Sequence, residues 1–517
     1  MDRRAFLGTA SGLAATSAAW KAAWGASLQA TPAARATVTI DPGREIGRMD
    51  PKLYGHFLEH VERVVYGGVF DPGSRLADDL GLRKDVVAAI REMGGARVLR
   101  WPGGNFASYY RWKDGIGPRE KRPRRYDVAW RNYESNRFGT DEYLALCRHL
   151  GCEPFITVNM GNGTLEEACE WVEYCRLSDR QPPVRIWGLG NELYGRWQVG
   201  HCTAAEYAHK AEQFGQFMRS VELDLKLVGV GSRSPEWNDS VLKGCGAMLD
   251  WLTIHLYGHR TFLDGDDDFD SIVATPALFE REIKEMIDQI AALEPAMRRR
   301  EPLKVCLEEW NDRHMKKGAG TTRNPGLIRE SPRNIVDALF VAGVFNCCQR
   351  LSARVTMTNY VFVVNAHGPI FAYPDGLVKS AVFDVFRLYA TRLQPVAVQA
   401  NAQCEKFSAL ISWEGRQQQV AAERLDVSAT RSVDGRKLSV ALLNRYKTST
   451  MRVALELSGR APAAGVALHS LYAPDINAVN SLQEPDKVRS VSRALNGALQ
   501  YVDLPPHSVN LLELTLT

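Results

Sequence analysis

Glu192 and Glu309 are the residues of this sequence best placed to break a bond. Each closes a short apolar run that reads as a buried strand: Val184-Arg-Ile-Trp-Gly-Leu-Gly-Asn-Glu192 and Leu303-Lys-Val-Cys-Leu-Glu-Glu309-Trp-Asn311. A carboxylate at the end of such a run sits at the rim of a sheet. Two of them on separate parallel strands can face each other across one pocket. Opposed carboxylates are the working parts of glycosidic bond hydrolysis, one as acid/base and the other as nucleophile or base.

Such a pair needs a frame. From about residue 50 to 385, apolar β-rich runs alternate with longer helical patterns, which predicts βα units around a parallel sheet. Eight strands are expected, beginning near Leu53, Ala96, Pro154, Val184, Lys226, Trp251, Lys304 and Ala353. Between the sixth and seventh, Phe279, Ile283, Met286, Ile287 and Ile290 recur at helical spacing. Eight strands with intervening helices predict a TIM (β/α)8 barrel. After about residue 390 short strand-like runs take over, among them Leu438–Leu442, Met451–Leu457 and Ser508–Leu514. They predict a C-terminal antiparallel β-sandwich. The expected division is 37–48 as a strand joining the sandwich, 49–388 as the barrel and 389–517 as the sandwich.

Residues 1–36 read as a twin-arginine signal peptide. Arg3-Arg4-Ala-Phe6-Leu7 precedes a mildly apolar stretch, and Ala34-Arg35-Ala36 offers a cleavage site. The stretch is short and holds Lys21, so no retained membrane span is expected. The expectation is a periplasmic or secreted protein. The 517 residues carry a net charge of only +4, and basic clusters such as Arg298-Arg-Arg300 are interspersed with acids, which speaks against nucleic acid as a partner. The ten cysteines show no zinc-ligand spacing, and most read as buried free thiols. No phosphate-cradling glycine loop is present, so neither an organic cofactor nor a metal is expected.

Polar residues gather at the predicted strand ends, where a barrel places its catalytic groups. The first strand leads into Glu59-His60, the second into Arg100-Trp-Pro-Gly-Gly-Asn105, and the fourth into Asn191-Glu192. The sixth ends in His255-Leu-Tyr257, the seventh in Glu308-Glu309 and the eighth in Thr358-Asn359-Tyr360. Singly, each has a plainer reading: a helix-capping Glu, a structural Arg, a core His, a tight Gly103-Gly104 turn. Together, amides, carboxylates, a guanidinium and aromatic rings suit a sugar pocket.

The segments also resemble glycoside hydrolase family 51, the α-L-arabinofuranosidases. Gly190-Asn-Glu192 with Trp197-Gln-Val-Gly-His201 is similar to the family's acid/base segment. Tyr54-Gly-His-Phe-Leu-Glu-His60, Arg100-Trp-Pro-Gly-Gly-Asn-Phe106, Glu134-Ser-Asn136-Arg-Phe-Gly139 and Leu504-Pro-Pro-His-Ser-Val509 are similar too. The resemblance implies a retaining, exo-acting enzyme that removes arabinose from arabinoxylan, arabinan or their oligosaccharides. It makes Glu192 the acid/base, requiring a raised pKa, and Glu309 the nucleophile. It places Glu59, Arg100, Asn105, Asn191, His255 and Tyr257 on substrate-binding positions, and makes a homo-oligomer a family-level expectation.

Two points qualify it. Side chains alternate along a strand, so only one of Glu308 and Glu309 is expected to face the pocket, and the following Trp310-Asn311 selects Glu309. Phe362 stands where the family usually has a Gln, so either a neighbour such as Asn359 takes over its hydrogen bond or the ring stacks on the substrate. The competing readings are an endo-glucanase or xylanase on the same scaffold, and a non-catalytic carbohydrate-binding protein.

Overall fold

The computed structural model describes residues 34–176, 182–317, 326–413, 416–459, 466–495 and 500–516. The signal-peptide reading falls on residues 1–33, outside the described residues, and on Ala34–Ala36. Those three already belong to the first strand, β1 (Ala34–Arg48), which therefore begins before the expected Thr37.

Eight parallel strands close a barrel in sequence order. They are β2 (Gly55–Phe57), β3 (Val98–Trp101), β4 (Glu153–Thr157), β5 (Ile186–Leu189), β6 (Lys226–Gly229), β7 (Trp251–Arg260), β8 (Lys304–His314) and β9 (Val355–Val361). A helix follows each: α1 (Lys84–Glu92), α2 (Thr140–Leu150), α3 (Leu165–Arg176), α4 (Ala204–Val221), α5 (Pro235–Cys245), α6 (Phe269–Met297), α7 (Ile335–Arg350) and α8 (Ala381–Arg392). All eight expected strands are present, and the TIM barrel stands. Val98, Phe155, Ile186, Val228, Trp251, Cys306 and Met357, from seven of the strands, fill one end of the barrel as a separate apolar plug. A filled interior leaves the C-terminal rim as the place for chemistry.

Local chemistry sets the helix starts. Thr203 and Glu206 form a reciprocal cap on α4, and Asn334 with Asp337 does the same on α7. From Ile335 to Gln349 every residue of α7 is buried, because the helix lies between the barrel and the C-terminal sheet.

That sheet is built from β1 and from β10 (Val396–Gln403), β13 (Leu425–Arg431), β14 (Lys437–Asn444), β15 (Met451–Leu457), β16 (Val466–Leu471), β17 (Ser490–Leu495), β18 (Tyr501–Leu504) and β19 (Ser508–Thr515). The order is β17-β16-β19-β14-β13-β10-β1-β15-β18, antiparallel except where β1 runs parallel to β15. One face rests on α7 and α8. The other carries Val38, Ile40, Val427, Val440, Val453, Leu468, Val502 and Leu512, all buried together. No helix among the described residues covers that face, so the sheet must double over on itself. The sandwich is one continuous sheet. A separate hairpin, β11 (Lys406–Trp413) with β12 (Arg416–Glu423), leaves this domain and packs on α6.

All ten cysteines are free thiols. No helix of the described residues is long and apolar enough to cross a membrane.

Candidate active site

A cavity of about 1490 Å³ opens at the C-terminal rim of the barrel. Glu59, Asn105, Glu192, His255, Tyr257, Glu309 and Phe362 line it. Leu410, Ile411 and Ser412 at the end of β11 complete one wall, so the C-terminal domain contributes to the mouth. Arg100 and Asn191, also expected at the site, are fully buried behind the cavity wall, Arg100 bonded to Glu309 and Asn191 to Arg100.

Glu309 is held at both oxygens. Arg100 Nη1 donates to Oε1 at 2.7 Å and the Tyr257 hydroxyl donates to Oε2 at 2.6 Å. Arg100 Nη2 donates to Asn191 Oδ1, also at 2.7 Å. That leaves the Asn191 amide Nδ2 buried with no protein partner, a donor suited to a ligand. Gly104 permits this crowding: a Cβ there would stand 2.7 Å from Glu309 Oε1. Its neighbour Gly103, at φ 142°, leaves no room for a Cβ against Glu59. The glycine pair is therefore a close approach of backbone to two carboxylates, and more than a tight turn.

Glu192 follows β5 with φ 45°. Its Oε1 lies 2.8 Å from His255 Nδ1, and Oε2 accepts from Trp197 Nε1 at 2.9 Å. One oxygen each of Glu192 and Glu309 and the His255 nitrogen all lie within 4.8 Å of one another. The raised pKa expected for Glu192 is not what its surroundings produce. Burial pushes it up, but the hydrogen bond and charge of His255, followed by the Trp197 N–H, outweigh burial and hold it below the usual carboxylate range. The proton resides on His255 instead. Burial disfavours its charge, yet Glu309, Glu192 and Glu308 raise it to about 10.

Glu308 is the main correction to strand alternation. The register of β8 against β7 shifts between Leu307 and Glu309, a bulge that inserts one residue. Both glutamates therefore turn into the barrel. Glu308 Oε2 lies 3.0 Å from His255 Nε2, and Oε1 lies 3.1 Å from Arg100 Nε as an ion pair without hydrogen-bond alignment. Glu308 is the member of the cluster that sequence reasoning missed, since a bulge is a property of two paired strands.

Glu59 accepts from the Gly104 and Phe106 backbone N–H groups and from Trp130 Nε1, at 3.1, 3.0 and 3.1 Å. Burial first, then repulsion from Glu309, push it up to about 8 despite those donors. Asn105 Oδ1 accepts from Gln198 Nε2 at 2.9 Å. Trp130, Trp197 and Gln198 are thus further site residues, and the last two lie in a segment that carried the resemblance. Phe362 faces the cavity beside Phe57, ring centroids 5.4 Å apart. Asn359 does not take over its hydrogen bond: both ends of its amide are already engaged away from the cavity, Nδ2 3.5 Å from the His56 carbonyl and Oδ1 accepting from the Cys306 thiol.

A carboxylate pair this close, one member fixed by two donors and the other coupled to a histidine, suits glycosidic cleavage. Family models agree. The α-L-arabinofuranosidase 1 domain matches residues 89–273, and the α-L-arabinofuranosidase C-terminal domain matches 308–508. α-L-Arabinofuranosidase C of Emericella nidulans is 32% identical over 507 residues, covering 92% of this chain and 96% of that protein. The chain belongs to the α-L-arabinofuranosidases of glycoside hydrolase family 51.

Other arabinofuranosidases extend the likeness. The intracellular exo-α-(1→5)-L-arabinofuranosidase of Streptomyces lividans is 32% identical, covering 88% of this chain and 71% of that protein. The arabinose complex of the α-L-arabinofuranosidase from Thermotoga maritima superposes with a TM-score of 0.84 at 33% identity, covering 93% of this chain and 100% of that one. A bifunctional glucanase-xylanase from a metagenome library, at 12% identity and TM-score 0.60, shares the fold alone. The endo-glucanase or xylanase reading is not favoured. The arabinofuranosidase is a glycoside hydrolase that acts on arabinose-containing glycans.

Proposed function

We propose that this arabinofuranosidase works by double displacement with retention and releases single arabinose units from the ends of arabinoxylan, arabinan or their oligosaccharides. The observation that carries the mechanism is the separation of Glu192 and Glu309. Oxygens within 4.8 Å leave no room for a water between carboxylate and anomeric carbon, as an inverting enzyme requires. Glu309, held by Arg100 and Tyr257, attacks the anomeric carbon while Glu192 protonates the leaving oxygen. Glu192 then takes a proton from water, which attacks the glycosyl-enzyme and frees Glu309. The Asn191 amide and the neutral Glu59 carboxyl supply hydrogen bonds to the sugar. Exo action is supported by what lies behind Glu309: fully buried Arg100 and nearly buried Glu308 close the inner end of the cavity to a continuing chain.

Hydrolysis of 4-nitrophenyl α-L-arabinofuranoside tests this, with the anomer formed first read by NMR. Retention is expected, together with rescue of Glu192→Ala by azide and an azide adduct of the substrate's configuration. An inverted first product overturns the assignment. Two further readings rest on sequence. Export through a twin-arginine signal is supported by Arg3-Arg4 and the apolar stretch after it, and N-terminal sequencing of the exported protein tests it. A homo-oligomer is supported by the family resemblance, and light scattering of the purified chain tests it.

A further inference from the structure

Both ring nitrogens of His255 face carboxylates: Nδ1 lies 2.8 Å from Glu192 and Nε2 3.0 Å from Glu308. A neutral imidazole has one N–H and one lone pair. Its lone pair would then point at a carboxylate oxygen, unless that oxygen carried the proton itself. The chain Glu308–His255–Glu192 therefore holds two protons on its two N···O lines, whichever atom each sits on. Strand geometry fixes the arrangement: His255 is on β7, Glu308 is turned inward by the bulge in β8, and Glu192 lies just beyond β5.

We propose that Glu308 is a positioning residue for the acid/base carboxylate: it fixes His255 so that the imidazole and Glu192 share one transferable proton. The proposal rests on Glu192 being the acid/base. In the arrangement described the proton is on Nδ1, giving an imidazolium–carboxylate pair. Transfer breaks the Nδ1–H bond and forms the Glu192 O–H bond, giving neutral imidazole and carboxylic acid. The net charge of the site does not change, and Nε2–H continues to donate to Glu308. Glu192 then passes the proton to the leaving oxygen. In the second step it takes one from water and returns it to Nδ1. The pair thus resolves how a carboxylate held below its ordinary range can act as an acid.

The charged and titratable groups facing His255 are Glu192 from β5, Glu308 and Glu309 from β8, and Tyr257 on its own strand. Glu309 approaches Nδ1 to 3.6 Å. Arg100 from β3 pairs with Glu308 and Glu309, and Arg313 at the end of β8 acts on Glu192. Carboxylates outnumber the cations touching the ring, so removing the Glu308 charge weakens the pair's hold on its proton.

The test compares wild type, Glu308→Gln and Glu308→Asp. Gln keeps an acceptor for Nε2–H without the charge, and Asp keeps the charge. For 4-nitrophenyl α-L-arabinofuranoside, the alkaline limb of kcat/KM is expected to move down by roughly 1–3 pH units in Glu308→Gln. It is expected to stay near the wild-type position in Glu308→Asp. A uniform loss with unmoved limbs overturns the proposal and leaves Glu308 a merely structural group. Histidine NMR gives a readout without substrate, with His255 assigned by difference from His255→Asn. The His255 ring is expected to titrate at lower pH in Glu308→Gln than in wild type, and unchanged titration overturns the proposal. If wild type fails to cleave the arabinofuranoside, the reading of the site falls, and the NMR comparison still decides the role of Glu308.

Discussion

Two histidines in this barrel sit among carboxylates and arginines, and they behave in opposite ways. His255 is raised to about 10, whereas His314, at the end of β8, is lowered to about 4. Both are buried, and burial alone pushes both down. The difference lies in the company. Around His255 the carboxylates of Glu192, Glu308 and Glu309 meet one closely paired guanidinium, Arg100. Around His314 there are two, with Arg260 Nη1 at 2.7 Å from Asp337 and Arg333 Nη1 at 2.9 Å from Asp312. Burial first, then repulsion from Asp337, push Asp312 well above the ordinary range against the pull of Arg333. At His314 burial, joined by the charges of Arg333 and Arg260, outweighs the charge and hydrogen bond of Asp337 and holds the ring below its ordinary range. Asp312, His314 and Asp337 have the spacing of metal ligands, but the guanidinia already supply the positive charge. One cluster has a single closely paired guanidinium beside an open cavity, and the other has two inside the protein. Excess charge kept at a pocket is a resource for proton transfer, and balanced charge is architecture.

The largest test of that contrast removes one arginine from each. Arg100→Met leaves Glu309 without its 2.7 Å donor and Glu308 without its ion pair, and activity should fall by a factor of 10³ or more, in the range of lost electrostatic stabilisation. Arg333→Met strands Asp312 and Asp337 in the interior. It should lower stability by roughly 3–5 kcal/mol, measured by denaturant unfolding, with kcat per folded molecule kept within a few-fold. Equal activity losses in the two variants would erase the distinction. The second test is direct: in NMR titrations between pH 5 and 8, His255 should remain an imidazolium and His314 a neutral imidazole. The sign follows from their positions, since the window lies below about 10 and above about 4. A titration of His255 inside the window would break the comparison.

A smaller effect comes from backbone. Gly104→Ala brings a methyl against Glu309 Oε1 without changing any charge. Displacing the carboxylate by part of an ångström should cost about 10- to 100-fold in kcat, with unfolding unchanged. An unaffected kcat would mean that Glu309 has slack the geometry does not suggest.

Much of this was legible in the sequence because it is local. Each of the eight strands is an apolar run bounded by polar residues, and a barrel collects the ends of such runs on one rim. That rule gathers Glu59, Asn105, Glu192, His255, Tyr257 and Glu309 among the strand-end residues, and the family resemblance singles them out. What escaped is non-local. The inward turn of Glu308 depends on the register between β7 and β8, and strict alternation pointed the other way. The doubled, continuous sheet depends on β1 joining β10 and β15, which lie hundreds of residues further along the chain. Which histidine is charged depends on two arginines that arrive from β7 and from the segment before α7. Single residues announced the chemistry, but their protonation states were written in pairings between strands.

The finest test reverses a sign. Trp197 Nε1 donates to Glu192 Oε2 at 2.9 Å, on the side away from His255. That bond favours the carboxylate form, so removing it favours the acid. Trp197→Phe keeps an aromatic face and deletes the donor. The alkaline limb of kcat/KM should therefore move up, opposite to Glu308→Gln. Trp197 is half exposed, 48%, so water replaces part of the lost bond and the shift should stay below about one pH unit. If both substitutions moved the limb the same way, the limb would be reporting general loosening of the pocket. Opposite shifts from the two ends of one chain, Trp197–Glu192–His255–Glu308, locate the shared proton between Glu192 and His255.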